Sequence, residues 1–438
     1  MNPRPTLAAV IADDPYQAYS YSYPHKTSYR AFDPPVSLAE AWRNEDRSAL
    51  LLYLHVPFCE QRCGFCNLFT QVQPKQDVVA AYLDALERQA AVTFAALAPA
   101  RFARLAIGGG TPTFLTPREL ERLFAITARW QASGIPTSVE VSPPTADAER
   151  IAVLRRAGVT RVSMGVQSFL PHETTALNRH QHPEVLTRAC RTIAAAGFAT
   201  FNLDLMYGIP GQTVTTLMTS LDQAIAAGAN ELYLYPLYVR PLTILGVRQV
   251  AASSERLALY RAARSALLAR GWTQASMRMF RAPEAQESIG PVYRCQDDGM
   301  VGLGIGARSY TSALHYSSGY AVDQSQIRRL IADWCAQDDA GFGRIEHGIE
   351  LTEEDQRRRF VILSVLERGL DRAAYRQRFG GEVLDHLPEL AEAIALQLMD
   401  EQDGVLRLSE TGVEQSDVIG QWMYSPRVQQ RMAAYQAR

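Results

Sequence analysis

The sequence predicts an α/β fold of repeated strand and helix units, and three observations predict it. Short continuous apolar runs alternate with helical stretches from Ala49 onward. Four helical tails reach a glycine and are followed soon after by another apolar run. One helix, with Leu217, Leu221, Ala224 and Ile225 at i, i+4, i+7 and i+8, carries a single apolar stripe suited to lying on a sheet. Such alternation implies either a doubly wound sheet or a βα barrel, and periodicity alone does not choose between them.

Taken in order, residues 1–48 mix aromatic, Pro and Ser residues in "YQAYSYSYPHKTSYR" and "FDPPVSL" without a helical or strand period. They predict an ordered lead-in packed on the main domain, its tyrosines better read as aromatic packing than as a site for a flat ligand. "ALLLYLHV" is then a buried strand, "VVAAYLDALERQAAVTFAAL" a helix, "RLAIGGG" a strand, "PRELERLFAITARW" a helix and "TSVEVS" a strand. Further on, Gly158, Gly197, Gly228 and Gly271 each close a small-residue helical tail, at spacings of 39, 31 and 43 residues. Glycine suits the left-handed position that stops a helix, and the spacings fit successive βα units.

Near residue 340 the texture changes. "LTEEDQRRRFVILSVLERGL" begins with Thr352 as an N-cap and an acidic first turn, two more helical stretches follow, and Asp403 with Gly404 marks a turn before a short strand. Helices followed by a small hairpin predict a winged-helix-like C-terminal domain. The division expected is 1–48 lead-in, 49–340 main domain with its extension, and 341–438 C-terminal domain, in keeping with the two or three domains that 438 residues imply. Arg357, Arg358 and Arg359 among Glu353, Glu354 and Asp355 are expected to form a solvated helix face.

A net charge of -2 with 21% charged residues lacks the basic excess of a nucleic-acid binder. The N-terminus lacks a basic stretch leading into an apolar core, its run from Leu7 to Ala12 ending at Asp13 and Asp14, and no window holds ~20 consecutive apolar residues. A cytosolic protein without a membrane span is expected. Six cysteines in such a chain make no disulfide scaffold, and Cys190, Cys295 and Cys335 stand apart as small packing residues.

Cys59, Cys63 and Cys66 differ, because they form C-x3-C-x2-C directly after a predicted strand. Three thiolates on one loop can wrap a small object. Structural zinc takes four protein ligands, and no fourth Cys or His has the usual spacing, His55 lying on the strand. An iron-sulfur cluster with one iron left for an outside ligand fits better.

The loop in "YLHVPFCEQRCGFCNLFTQ" resembles the radical S-adenosylmethionine (SAM) superfamily. More narrowly, the chain from Tyr53 to its end resembles the group of oxygen-independent coproporphyrinogen III oxidase, its haem-chaperone relatives and the class C radical SAM methyltransferases. The resemblance implies a partial (βα)6 TIM-like barrel, open on one side and capped by the C-terminal domain. It implies a [4Fe-4S] cluster on the three cysteines, with SAM on the fourth iron cleaved reductively to a 5′-deoxyadenosyl radical that abstracts a substrate hydrogen. It assigns Tyr53, Gly109 and Glu140 to that SAM, and Gly110, Thr111, Gln167, Arg179 and Asp204 to a second SAM.

The glycines of "GGGTP" are expected to let the backbone approach a ligand and offer amide donors to it. "DDGMVGLGIGARSY" resembles a late glycine-rich segment of the group and is expected to line the pocket, tight packing being the other explanation. The implied activity is oxidative decarboxylation of a tetrapyrrole-like substrate, with an electron donor of the reduced flavodoxin or ferredoxin type. Leu68 departs from the oxidase pattern, which carries a further Cys there, so a methyltransferase using two SAM molecules and a haem-binding chaperone remain as alternatives.

Overall fold

The structure, a computed structural model, describes residues 4–13, 16, 19–20, 22–130, 134–285, 295–367 and 369–436. The alternation in the sequence becomes six successive units: β1 (Leu50–Val56) with α1 (Gln76–Leu97), β2 (Phe102–Gly109) with α2 (Pro117–Ala128), β3 (Thr137–Val141) with α3 (Ala148–Arg156), β4 (Arg161–Gln167) with α4 (Pro183–Ala196), β5 (Thr200–Tyr207) with α5 (Val214–Ala226), and β6 (Glu231–Pro236) with α6 (Arg256–Ala269). The six strands are neighbours in chain order and all parallel.

The predicted helix stops hold: Gly158, Gly197, Gly228 and Gly271 have φ of 76°, 66°, 89° and 80°, a region that a Cβ resists. At the other end, Thr116 and Glu119 form a reciprocal capping box that starts α2.

The sheet extends beyond the six units. Met300–Leu303, inside the late glycine-rich segment, is a seventh parallel strand beside β1, with Leu303 opposite Leu54. From it the sheet continues through Arg308–Tyr310, Leu314–Ser317 and Arg344–Glu350 to Arg30–Ser37, while Met279–Arg281 and Thr273–Gln274 follow β6. Among the described residues this order is linear, so the barrel is open.

Arg30–Ser37 corrects the reading of the lead-in as free of strand structure. Pro34 and Pro35 hide the period, and they are tolerated because the strand lies at the sheet edge with a register shift between Ala31 and Val36.

Alternation along the parallel strands sends apolar side chains outward. Val139, Val162, Met164, Leu203, Leu205 and Leu232 pack with helix residues such as Leu123, Leu154, Ile193 and Leu221 in the principal core. Each such burial stabilises by about 1.5–3 kcal/mol.

A second core gathers Val361, Ile362, Tyr375, Leu390, Leu406 and Trp422, and it also takes Leu7, Tyr23 and Tyr29. The lead-in therefore does not pack on the main domain alone, although Leu38 and Trp42 do enter the principal core. Gln17, Ala18 and Tyr21 lie outside the described residues.

In this C-terminal part, Leu370–Asp371, Val405–Leu408 and Met399–Gln402 form a three-stranded sheet, turned at Asp403 and Gly404 with φ of 53° and 75°. The expected solvated arginine face is wrong for two of its three residues. Arg358 is buried and donates to Glu354, Glu389 and the Met423 carbonyl; Arg359 is fully buried and donates to the Thr311 carbonyl.

Candidate active site

At the C-terminal ends of the parallel strands the chain leaves β1 into the cysteine loop. Phe58–Cys59 pairs in parallel with Gln71–Val72, tying the two feet of the loop together. Midway, the Gly64 N–H donates to the Leu177 carbonyl at 2.8 Å and the Gly64 carbonyl accepts from Leu245 N–H at 2.9 Å. A Cβ on Gly64 would lie 2.6 Å from the Leu177 oxygen, so the close approach requires glycine.

Arg179 clamps the loop to β4. It is 8% exposed, and its guanidinium donates to Cys63 Sγ at 3.0 Å, to the Gly165 carbonyl at 2.5 Å and to Gln181 Oε1 at 3.0 Å. Cys59 Sγ lies 3.2 Å from Thr111 Oγ1 and 3.4 Å from Glu60 Oε2. Burial, with Glu60 adding to it, pushes the Cys59 thiol up to about 12, and burial pushes Cys66 up to about 11.

Alone, these two sulfurs stay protonated at neutral pH, and cationic metal is the partner that would ionise them. Among the described residues no three His, Cys, Asp or Glu side chains gather closely enough to ligate a single ion. Three thiols on one short loop suit a multi-iron cluster, which spreads its protein ligands over several irons.

Beside the loop, the glycine turn after β2 is shaped by contacts within the protein. Gly109 has φ of 113°, and a Cβ there would meet the His55 ring at 2.8 Å; on Gly110 it would come within 2.3 Å of the Phe58 carbonyl. The Gly109 N–H donates to Glu140 Oε2 at 3.1 Å, the Gly110 N–H to the Val56 carbonyl at 2.8 Å and the Thr111 N–H to the Phe58 carbonyl at 2.6 Å. The Gly110 and Thr111 amides are thus taken up by packing against the end of β1, whereas the Gly109 amide holds the Glu140 carboxylate of β3.

His55 anchors Tyr53. Its Nε2 lies 3.1 Å from the Phe69 carbonyl, which can only accept, so Nε2 carries the proton and Nδ1 accepts from the Tyr53 hydroxyl at 3.1 Å. Burial lowers His55 to about 4 and keeps the ring neutral.

The inward faces of β3 to β6 are polar. Asn202 donates to Asp204 Oδ1 and Ser163 Oγ, both at 2.7 Å, and Arg161 donates to Glu231 at 2.9 Å and Ser138 at 2.9 Å. Burial, with Asp204 adding to it, pushes Glu140 up to about 7, and burial pushes Asp204 up to about 6. Gln167 takes a φ of 70° where the β4–β5 register shifts, and its Nε2 lies 3.1 Å from where a Gly165 Cβ would be. Tyr19 packs edge-on against Tyr235, which stacks on Tyr233, so this part of the tyrosine cluster packs against β6.

The structure thus joins Cys59 to Thr111, Cys63 to Arg179 and Gly109 to Glu140, and sets Glu140 within electrostatic reach of Asp204. Arg161 and Glu231 were missed from sequence, and His55, set aside there as a zinc ligand, instead anchors Tyr53. The alternation of Ser138, Glu140, Arg161 and Ser163 with valines and Met164 is the signal that marks most of this inner face. Buried carboxylates of raised pKa suit an incoming ammonium group, and the thiols suit iron.

Comparison with known proteins places these features. Residues 53–224 match the radical SAM superfamily and residues 351–414 the HemN C-terminal domain. The chain is 37% identical over 247 residues to the oxygen-independent coproporphyrinogen III oxidase of Paracoccus denitrificans, covering 54% of each protein. To the same enzyme of Salmonella typhimurium it is 27% identical over 426 residues, 91% of this chain and 90% of that one. To the heme chaperone HemW of Bacillus subtilis it is 28% identical over 376 residues, 82% and 93% of the two chains. In fold it matches the Escherichia coli coproporphyrinogen III oxidase (HemN) with a TM-score of 0.77 at 22% identity, over 98% of this chain and 99% of that one.

Proposed function

The chain belongs to the radical SAM superfamily, with a C-terminal domain of the HemN type, and from that premise we propose that Cys59, Cys63 and Cys66 hold a [4Fe-4S] cluster, that SAM binds beside it, and that the substrate is a tetrapyrrole. The observation that carries this reading is the convergence of three loop thiols with the buried Glu140 and Asp204 at one end of an open parallel sheet. When bound, the reduced cluster and SAM supply a 5′-deoxyadenosyl radical that takes a hydrogen atom from the substrate.

The chain's own residues position the reactants. Glu140, held by the Gly109 N–H, ionises once a cation faces it and receives the ammonium of SAM, with Gly109 and Tyr53 beside it. Arg179 keeps Cys63 against the end of β4. The aromatic wall of Tyr19, Tyr233 and Tyr235 limits water near β6.

Oxidative decarboxylation of propionate side chains is the proposed reaction, after the relatives named as coproporphyrinogen III oxidases. A reduced flavodoxin or ferredoxin is the proposed electron donor. Leu68, at 48% exposure, stands where the oxidase pattern has a further cysteine, and this favours a second reading. In it Gln167 and Asp204, with Gly110, Thr111 and Arg179 nearby, serve a second SAM as methyl source.

Anaerobic reconstitution, then dithionite, SAM and coproporphyrinogen III with mass spectrometry of nucleosides and porphyrins, tests both. The decarboxylated porphyrinogen together with 5′-deoxyadenosine supports the oxidase; S-adenosylhomocysteine and a methylated tetrapyrrole support methyl transfer. Haem binding without any SAM cleavage would overturn both in favour of a chaperone.

A further inference from the structure

The three loop thiols are not equivalent. Cys59 Sγ has the Thr111 hydroxyl at 3.2 Å and the Glu60 carboxylate at 3.4 Å, and Cys66 takes the Leu68 N–H, whereas Cys63 Sγ accepts from the Arg179 guanidinium at 3.0 Å. Among the described residues this is the one hydrogen bond from a cation to a loop thiol. The contact is fixed from several sides. Gly64, beside Cys63, is pinned to the Leu177 carbonyl, and the Arg179 N–H donates to the Thr174 carbonyl at 2.9 Å, closing the helix Pro171–Ala176. Between them Asn178 takes a φ of 49°, a left-handed turn that asparagine tolerates, and the chain doubles back toward the loop. Gln181 then holds the guanidinium from behind: its Oε1 accepts from Arg179 Nε at 3.0 Å, while its Nε2 donates to the Val166 and Ser168 carbonyls at 3.2 and 3.0 Å. With Nη2 on the Gly165 carbonyl, all three guanidinium nitrogens are committed within the protein. Glu60 is held as well, its other carboxylate oxygen accepting from the Ser142 hydroxyl at the end of β3.

We propose that Arg179 raises the reduction potential of the iron-sulfur cluster through the Cys63 ligand, against the opposing charge of Glu60 beside Cys59. The inference rests on the cluster reading above, and it gives Arg179 a task at the cluster where the resemblance implies a contact to a second SAM. Reduction adds one electron, and so one negative charge, to the irons and their thiolates; hydrogen bonds to the sulfurs and the net charge nearby set how readily that happens. A guanidinium keeps its charge at every working pH, and its bond to a thiolate is charge-assisted, so it strengthens as electron density on the sulfur rises. The reduced state gains more from Arg179 than the oxidised state does. Burial of the side chain keeps solvent ions from screening the effect. A carboxylate beside Cys59 acts with the opposite sign. Two fixed charges on two ligands of one loop therefore set the potential between them, and neither needs to touch the substrate.

Electron paramagnetic resonance of anaerobically reconstituted protein, poised at a series of potentials first without and then with SAM, reads the midpoint directly. Without SAM, Arg179→Met is expected to lower the ratio of reduced to oxidised cluster at a fixed potential about tenfold, which is ~59 mV for one electron. Glu60→Gln should move the ratio the other way. Arg179→Gln keeps an N–H for Cys63 and drops the charge, so its midpoint should fall by less than that of Arg179→Met; it supplies the second reading should Arg179→Met take up no cluster. A purely structural role for Arg179 would change cluster content and leave the midpoint of the remaining clusters in place, and that result would overturn the proposal while the cluster reading stands. A midpoint unchanged without SAM, combined with loss of the shift that SAM induces, would assign Arg179 to the cofactor and also overturn it. A wild type that takes up no iron-sulfur cluster would remove the cluster reading and the proposal with it.

Discussion

On strands β3 to β5 the two faces carry opposite chemistry at a separation of one residue. Outward stand Val139, Val162, Met164 and Leu203, locked among the helices; inward stand Glu140, Ser163, Asn202 and Asp204. The outer face stabilises the fold by burying hydrocarbon, while the inner one spends stability by burying carboxylates that prefer water. Sequence change therefore registers outward as loss of fold and inward as loss of ligand.

The largest effect expected comes from Cys59→Ala at the mouth of the inner face. Reconstituted protein should lose cluster iron and all measurable 5′-deoxyadenosine while keeping a wild-type circular dichroism spectrum; retained SAM cleavage would show that Cys59 is no ligand. Next in size, Leu203→Ala on the outer face removes a fully buried side chain and should lower stability by about 2–5 kcal/mol in urea denaturation.

Its inward counterpart, Glu140→Gln, should leave stability at pH 8 equal or higher and weaken SAM binding at least about tenfold by equilibrium dialysis. A destabilised Glu140→Gln with normal SAM binding would break the contrast between the faces.

A pH titration sharpens it further. Because Glu140 and Asp204 sit at about 7 and about 6 in the folded chain, above their ordinary 4.5 and 3.8, the folded state holds their protons more tightly. Their contribution is full below about pH 4 and is lost as pH rises through 6 and 7. Urea denaturation of unloaded protein should show that decline, and Glu140→Gln/Asp204→Asn should flatten it. The smallest effect belongs to the lead-in, where Arg43→Ala removes an exposed pair with Glu40 and should change stability by less than ~0.5 kcal/mol.

Much of the outer face was legible because burial against helices imposes a period. The six βα units, their glycine stops and the cysteine loop all follow from local pattern. Non-local pairing was not legible. Met300–Leu303 is four residues whose role depends on lying beside β1, and Arg30–Ser37 needs an edge with a register shift to accommodate two prolines.

Arg358 and Arg359 look solvated beside acidic neighbours, yet partners at Glu389, Met423 and Thr311, remote in sequence, bury them. Arg179 was legible as a site residue, but its clamp on Cys63 and Gly165 required three segments to meet. His55 was legible only as an unsuitable zinc ligand on the strand; its contacts with the Tyr53 hydroxyl and the Phe69 carbonyl need the loop to fold back over β1.

On the proposed function, the thiol loop and the inner face make one site for a cluster and SAM. Electron paramagnetic resonance of the anaerobically reconstituted, dithionite-reduced protein tests it most directly. About four irons per chain are expected, with a reduced-cluster signal whose g-values shift when SAM is added and a weaker shift in Glu140→Gln at the same SAM concentration. A cluster signal indifferent to SAM in the wild type would contradict it.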